Sequence, residues 1–216
     1  PLPRGLDLAT ASLAEPAACC LAGLEAFRMP REATVLVIGG GLMGLLTMVL
    51  ARRRGARRLI LSALIEERRR MARRLGARTV VDPAREDLRA RVMGRTRGRG
   101  ADVVCEAVGK PELVAEAVRL TRFTGVVNLV GVSPQGGELP LDLFDAQYRE
   151  IRIGGVFGRG TAFARALALL PGLGVERLLT ASFPLDQIGE AFAHAAAGKG
   201  IKTIITPTSP SSPKAA

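Results

Sequence analysis

Short β-branched runs alternate along the chain with longer helix-forming stretches. "TVLVIG" (34–39) is a continuous apolar run closed by glycine, the pattern of a strand buried on both faces. "GLLTMVLARRRG" (44–55) follows as a helix: Arg52, Arg53 and Arg54 suit the negative end of its dipole, and Gly55 serves as its stop. "RRLILS" (57–62) predicts a second strand, and "EERRRMARRLG" (66–76) a second helix ending at Gly76. "RTVVD" (78–82) predicts a third strand, closed by Pro83, and residues 84–93 a helix. "GADVVCEAVG" (100–109) predicts a fourth strand, and "PELVAEAVRL" (111–120) a helix opened by Pro111. "GVVNLVGV" (125–132) and "IRIGGVFG" (151–158) complete a set of six strands. Strands alternating with helices predict an α/β fold, a doubly wound parallel six-stranded sheet of the Rossmann type.

Three pieces fall outside that pattern. Residues 1–30 contain an apolar helix, "LAEPAACCLAGLEAF". Residues 161–206 contain two helical stretches and two short strands, "LLTASF" and "IKTIIT". Residues 207–216, "PTSPSSPKAA", have a disordered composition. The longest apolar run, Leu42 to Ala51, is half of the roughly 20 residues that a membrane span needs. No charged-then-apolar leader opens the chain, which starts at Pro1 and so reads as a piece of something longer.

Composition sharpens the picture where it is uneven. The chain has 216 residues, 48% of them hydrophobic, enough for one substantial core. Its net charge of +11 sits almost wholly in residues 52–99, which hold 17 arginines against 5 acidic residues. That block could contact nucleic acid, but no aromatic residues interleave it, and solvated helix faces are the favoured reading. The three cysteines, Cys19, Cys20 and Cys105, have no C-x-x-C spacing, which fits a reducing cytoplasmic setting. Cys105 in its strand reads as a small buried hydrophobe, and His194, the single histidine, as a packed or surface residue.

Candidate chemistry centres on Gly39, Gly41 and Gly44, a G-x-G-x-x-G directly after a strand and before a helix. The first glycine permits the tight turn, the second lets backbone approach a pyrophosphate, and the third lets helix and strand pack closely. With Leu42 and Met43 between the glycines, the helix N-terminus would present its N–H groups to phosphates. The competing reading is a purely structural turn.

Beyond this motif the chain resembles the zinc-type medium-chain alcohol and polyol dehydrogenases, the family of sorbitol and threonine dehydrogenases. "LAEPAACCLAGLEAF", "ATVLVIGGGLMGLL", "ADVVCEAVG", "VVNLVGV" and "FPLDQIGEAFAHAAAGKGIKTII" are each similar to family segments in the same order. The resemblance implies that residues 31–165 are the dinucleotide-binding domain. Residues 1–30 would be a linker from an N-terminal catalytic domain, and 166–206 a segment returning to it. It also implies that Gly109 lies near the cofactor ribose, and that the backbones of Val130 and of Gly155 to Phe157 face the nicotinamide. Glu15 matches a family glutamate near the catalytic zinc. Read from its own position, Glu15 is a helix N-terminal acid beside Pro16, and the two readings stand level. Strand 151–158 would pair with its counterpart in a homo-oligomer.

Two departures qualify the resemblance. Ala63 occupies the place of the acidic residue that grips a ribose, and Arg68 follows five positions on, beside Arg69 and Arg70. A guanidinium fork suits a 2′-phosphate, so the expected cofactor is NADP or NAD, with a lean to NADP. The second departure is that the family's zinc ligands are not found in this sequence, so zinc chemistry on an alcohol or polyol substrate would belong to the parent enzyme. The expected function is the cofactor-binding portion of such a dehydrogenase. The alternatives are a non-catalytic nucleotide-binding module or split-enzyme subunit and, more remotely, a nucleic-acid-binding protein using the arginine block.

Overall fold

The computed structural model describes residues 2–157 and 162–207, which fall into two compact units divided after Val175. In the first unit, six parallel strands run β1 Thr34–Ile38, β2 Arg58–Ser62, β3 Thr79–Val81, β4 Ala101–Glu106, β5 Thr121–Leu129 and β6 Arg152–Gly155. Their order across the sheet is β3-β2-β1-β4-β5-β6. The chain thus reverses its direction of winding between β1 and β4, the doubly wound arrangement that the sequence predicts.

The first four of the five crossovers carry α3 Leu42–Arg53, α4 Glu66–Arg74, α5 Leu88–Thr96 and α6 Pro111–Leu120. Two short helices, α1 Leu8–Ala11 and α7 Leu143–Tyr148, were not anticipated by the sequence pattern. Central strand β1 is buried at every position, which is why it reads as an unbroken apolar run. Leu36 and Ile38 face a core shared with Val92 of α5 and with Val114 and Val118 of α6. The alternate position Val37 faces α3, where it lies beside Gly44. Helix α2 (Ala14–Ala26) packs on α3 and on α8 (Phe163–Leu169). It crosses β5 where Gly23 leaves room for Asn128: a Cβ on Gly23 would come within 2.7 Å of the Asn128 amide nitrogen.

Several boundaries differ from the sequence reading for local reasons. Helix α5 starts at Leu88 rather than 84 because the Asp87 carboxylate accepts the Ala90 N–H (3.1 Å) and fixes the cap there. Residues 82–86 form a turn instead, in which the Asp82 carbonyl accepts the N–H groups of Arg85 and Glu86. Strand β5 starts at Thr121, directly after α6, and stops at Leu129, because the N–H groups of Val130 and Gly131 both turn to the Glu106 carbonyl (2.8 Å each). Strand β6 covers Arg152–Gly155 of the expected 151–158; Val156 and Phe157 lie beyond it, and Gly158 is outside the described residues. Residues 208–216 of the tail are also outside them. No helix among the described residues is long and apolar enough to cross a membrane.

The second unit is a small βαβ element. Strands β7 (Leu179–Pro184) and β8 (Lys202–Thr206) pair in parallel, joined by α9 (Ile188–Ala196). His194 of α9 sits with its ring against Phe183 (centroids 5.5 Å apart) and Nδ1 3.1 Å from the Thr203 hydroxyl. It is a packed residue of this element, as its apolar surroundings in the sequence suggest.

Candidate functional site

The carboxyl ends of β1 and β4 flank the winding reversal, and the glycine loop opens there. Gly39 has a φ of +107°, and a Cβ on it would meet Val108 Cγ2 at 2.8 Å. Its N–H donates to the Ser62 carbonyl (2.9 Å), which ties the loop to the end of β2. Gly41 caps α3 in an extended conformation with no side-chain acceptor for the first-turn N–H groups, so Leu42 and Met43 present unshared donors at the positive end of the helix. Gly44 closes the motif: a Cβ there would lie 2.0 Å from the Gly39 carbonyl oxygen. Gly39 thus makes the turn and Gly44 the close helix–strand approach, while nothing lies within 4 Å of a Cβ built on Gly41.

Gly40, which the motif leaves unspecified, is equally constrained. A Cβ on it would come within 2.8 Å of Ala63 Cβ and 3.0 Å of Arg68 Cβ. The bare backbone of Gly40 therefore seats the end of β2 and the start of α4 directly against the loop. The signal in the sequence is that Gly39, Gly40 and Gly41 are consecutive, one glycine more than the motif asks for. Arg68 is half-buried, and its Nε is buried without a hydrogen-bond acceptor among the described residues.

The neighbouring arginines behave differently. Arg69 is buried; its Nη1 donates to the carbonyls of Ala63 (2.6 Å) and Leu64 (2.7 Å), and its Nη2 pairs with Asp82 (2.9 Å) and Glu66 (2.8 Å). It clamps the 63–65 loop to α4 and to the end of β3. Arg70 is exposed. Arg69 and Ala72, one helical turn apart, share the buried stripe of α4, which leaves Arg68 beside the glycine loop.

A buried carboxylate missed in the sequence reading organises the other side of the site. Glu106 ends β4 fully buried. Its Oε1 accepts the Val108 N–H (2.7 Å), and both carboxylate oxygens accept the Gly109 N–H (3.1 and 3.0 Å). Burial raises its pKa above the ordinary value, opposed in part by those N–H donors. Gly109 has a φ of +87°, and a Cβ on it would meet the Val132 carbonyl oxygen at 2.3 Å. The Val130 N–H donates to the Glu106 carbonyl (2.8 Å), which fixes this residue beside the end of β4. Gly155 pairs with Leu129 in the adjacent strand, and Phe157 just beyond it is 89% exposed. The loops carrying Gly39–Gly44, Ala63, Arg68, Gly109, Val130 and Gly155 thus form one continuous shelf, through the contacts of Gly40 with Arg68, Gly39 with Val108, Gly109 with Val132 and Leu129 with Gly155.

Glu15 lies on α2 and not on the loops of this shelf. It is exposed in the first turn of α2 and accepts a hydrogen bond from the Cys19 thiol (3.4 Å). Among the described residues no group of three His, Cys, Asp or Glu side chains could hold a metal ion. The described residues do not fit a zinc site. Cys20 and Cys105 are buried, and burial pushes both thiols up to about 12. Cys20 packs its sulfur against the Met43 carbonyl (3.4 Å), beneath the glycine loop.

Comparison with known proteins agrees with this geometry. The profile of a family described as zinc-binding dehydrogenase matches residues 43–172. The L-threonine 3-dehydrogenase of Chromobacterium violaceum is 26% identical over 208 residues, 95% of this chain and 60% of the relative. Rat (Rattus norvegicus) sorbitol dehydrogenase is 32% identical over 176 residues, 79% of this chain and 48% of the relative. A Sinorhizobium meliloti 1021 protein described as a zinc-binding dehydrogenase and solved bound to NADP superposes with a TM-score of 0.88 at 34% identity, covering 95% of this chain and 61% of that one. The 2R,3R-butanediol dehydrogenase of Bacillus subtilis superposes with a TM-score of 0.87 at 28% identity, covering 96% and 60%. The chain spans about half to three-fifths of the length of these relatives.

Proposed function

The chain belongs to the zinc-binding dehydrogenase family, and from that premise we propose that it is the part of an alcohol or polyol dehydrogenase that binds the nicotinamide dinucleotide, with NADP preferred to NAD. In this reading the backbone N–H groups of Leu42 and Met43 and the bare Gly41 receive the pyrophosphate. Gly109 leaves room for a ribose, and the Val130 carbonyl with the Gly155–Phe157 backbone borders the nicotinamide. The bound cofactor would supply the hydride acceptor for a secondary alcohol. What these residues do is hold and orient it, while Glu106 keeps the 106–109 and 130–132 loops at the spacing the ring needs.

The observation that carries the preference for NADP is at Gly40. Its contact with Ala63 and Arg68 brings a neutral residue and a guanidinium with a partnerless buried Nε to the loop where the adenosine ribose would end. A 2′-phosphate would meet a fork of donors there and no opposing carboxylate. The S. meliloti relative bound to NADP supports the same reading.

Zinc and its ligands belong, in this proposal, to the remainder of a longer parent enzyme, and substrate selection with them. We assign the homo-oligomer contact to β6. It is the last strand of its sheet in the described residues and presents one unpaired edge. A cytoplasmic setting goes with the buried thiols of Cys20 and Cys105.

The test is a titration of the chain with NADPH and NADH, read by nicotinamide fluorescence. NADPH should bind saturably and more tightly. Ala63→Asp sets a carboxylate against the 2′-phosphate and should weaken NADPH by at least about tenfold while sparing NADH. Arg68→Ala should lower NADPH affinity alone. Failure of the folded chain to bind either nucleotide would refute the assignment.

A further inference from the structure

At the amino edge of the sheet, at the opposite ends of the strands from the glycine loop, lies a cavity of about 750 Å³. Six arginines line it: Arg52, Arg57, Arg58, Arg73, Arg78 and Arg95. They arrive from the ends of α3, α4 and α5 and from the starts of β2 and β3. None of the described lining residues is acidic, and none is aromatic.

Helix polarity explains part of this clustering. Helices that connect parallel strands point their C-termini to the amino edge, and Arg52, Arg73 and Arg95 each lie in a last turn. A helix end carries about half a negative charge. Carboxylates pair with two of the six: Arg57 with Glu32 (3.4 Å), and Arg73, already one of the helix-end three, with Glu66 (3.2 Å), which it shares with Arg69. Arg52, Arg58, Arg78 and Arg95 have no ion pair among the described residues. After the three helix ends and the two pairs, a surplus of roughly two to three positive charges is left facing the cavity. Like charges held together without counterions weaken the fold unless an anion joins them.

One of the six is also held in position. Arg52 Nη1 donates to the Leu75 carbonyl (3.1 Å), and its guanidinium lies against Gly76, where a Cβ would come within 2.2 Å of that nitrogen. The glycine that ends α4 therefore also makes room for a fixed guanidinium at the cavity wall.

We propose that this cavity is a binding site for a small, multiply charged oxyanion of the oligophosphate class, separate from the dinucleotide shelf. Guanidinium forks match phosphate oxygens two by two. The surplus charge exceeds the roughly 1.5 to 2 negative charges that one phosphate carries at neutral pH, and the volume is more than a single phosphate fills. Because no aromatic surface lines the cavity, nothing in it would stack a base, which favours a small oligophosphate over a nucleic acid.

The experiment is calorimetric titration of the full 216-residue chain with tripolyphosphate, pyrophosphate and orthophosphate at low salt. Tripolyphosphate should bind one to one, at least about tenfold more tightly than orthophosphate. The double variant Arg58→Ala/Arg78→Ala should weaken it at least about tenfold and leave NADPH binding unchanged. Both arginines are exposed and outside any ion pair among the described residues, so the fold should survive; circular dichroism and the milder Arg58→Gln/Arg78→Gln pair guard that point. Gly41→Asp should do the reverse, abolishing NADPH binding and sparing tripolyphosphate. The proposal is overturned if the Arg58/Arg78 variants bind tripolyphosphate as the native chain does, or if Gly41→Asp removes it. It is equally overturned if a single-stranded oligonucleotide displaces tripolyphosphate and both depend as much on Arg53, Arg70 and Arg74, outside the cavity, as on Arg58 and Arg78.

Discussion

Gly44→Ala tests whether the third glycine of the loop is a packing requirement. The added Cβ would sit 2.0 Å from the Gly39 carbonyl oxygen, 3.0 Å from the Gly39 carbonyl carbon and 3.2 Å from Val37 Cγ1. Relief requires α3 to move away from β1 by about 1 Å or more, since non-bonded carbon and oxygen need over 3 Å. The helix cannot move alone, because everything from Gly44 to Ala51 is buried in the core. Overpacking of this kind costs about 1–3 kcal/mol, and contact with rigid backbone places it at the upper end. Alanine returns up to about 1 kcal/mol in helix propensity, leaving a net loss of about 2 kcal/mol. In urea that corresponds to a midpoint lower by roughly 0.7–1 M at an m-value of 2–3 kcal/mol/M. Gly41→Ala is the control: its φ is −74° and nothing lies within 4 Å of the new Cβ. Its midpoint should stay within about 0.3 M of the native value, while NADPH affinity falls because the methyl occupies the approach to the pyrophosphate. Equal midpoints for Gly44→Ala and the native chain would refute the packing argument, as would equal losses in the two variants.

Three further outcomes follow from the same contacts. Arg69→Ala leaves the Ala63 and Leu64 carbonyls and the largely buried Asp82 without their shared partner, and should cost about 3 kcal/mol in urea unfolding; a loss under about 1 kcal/mol would show the clamp to be dispensable. Burial raises the pKa of Glu106, so the folded chain keeps a proton that the unfolded chain has lost. Stability should therefore fall as pH rises from the ordinary carboxylate value through the raised one, and Glu106→Gln should flatten that slope; parallel pH profiles for the two proteins would contradict it. With thiols pushed up to about 12 and buried, Cys20 and Cys105 should resist alkylation at pH 8 until the chain unfolds, as peptide mass mapping would register.

What the sequence determined by itself is whatever depends on neighbours along the chain. The buried run 34–38, the glycine spacing 39–44, the helices capped by Gly55, Gly76 and Pro111, and the order of six strands are all local patterns. A parallel sheet covered on both faces leaves few other ways to arrange them. Where the local signal is weak, the reading and the structure part: the pattern starts a helix at 84, four residues before the Asp87-capped start at Leu88, and it gives no sign of α7. Tertiary structure decided which residues meet. Three consecutive arginines are alike in the sequence, yet the 100° step of a helix sends Arg69 inward and leaves Arg68 against Gly40. Glu106 looks like the polar end of a strand until two loops converge on its carboxylate. The arginine block read as solvated helix faces. Only the parallel register brings the ends of α3, α4 and α5 to one edge, where six of its members surround a single cavity. Charge can be counted along a chain, but its concentration depends on which ends of the elements the fold gathers together.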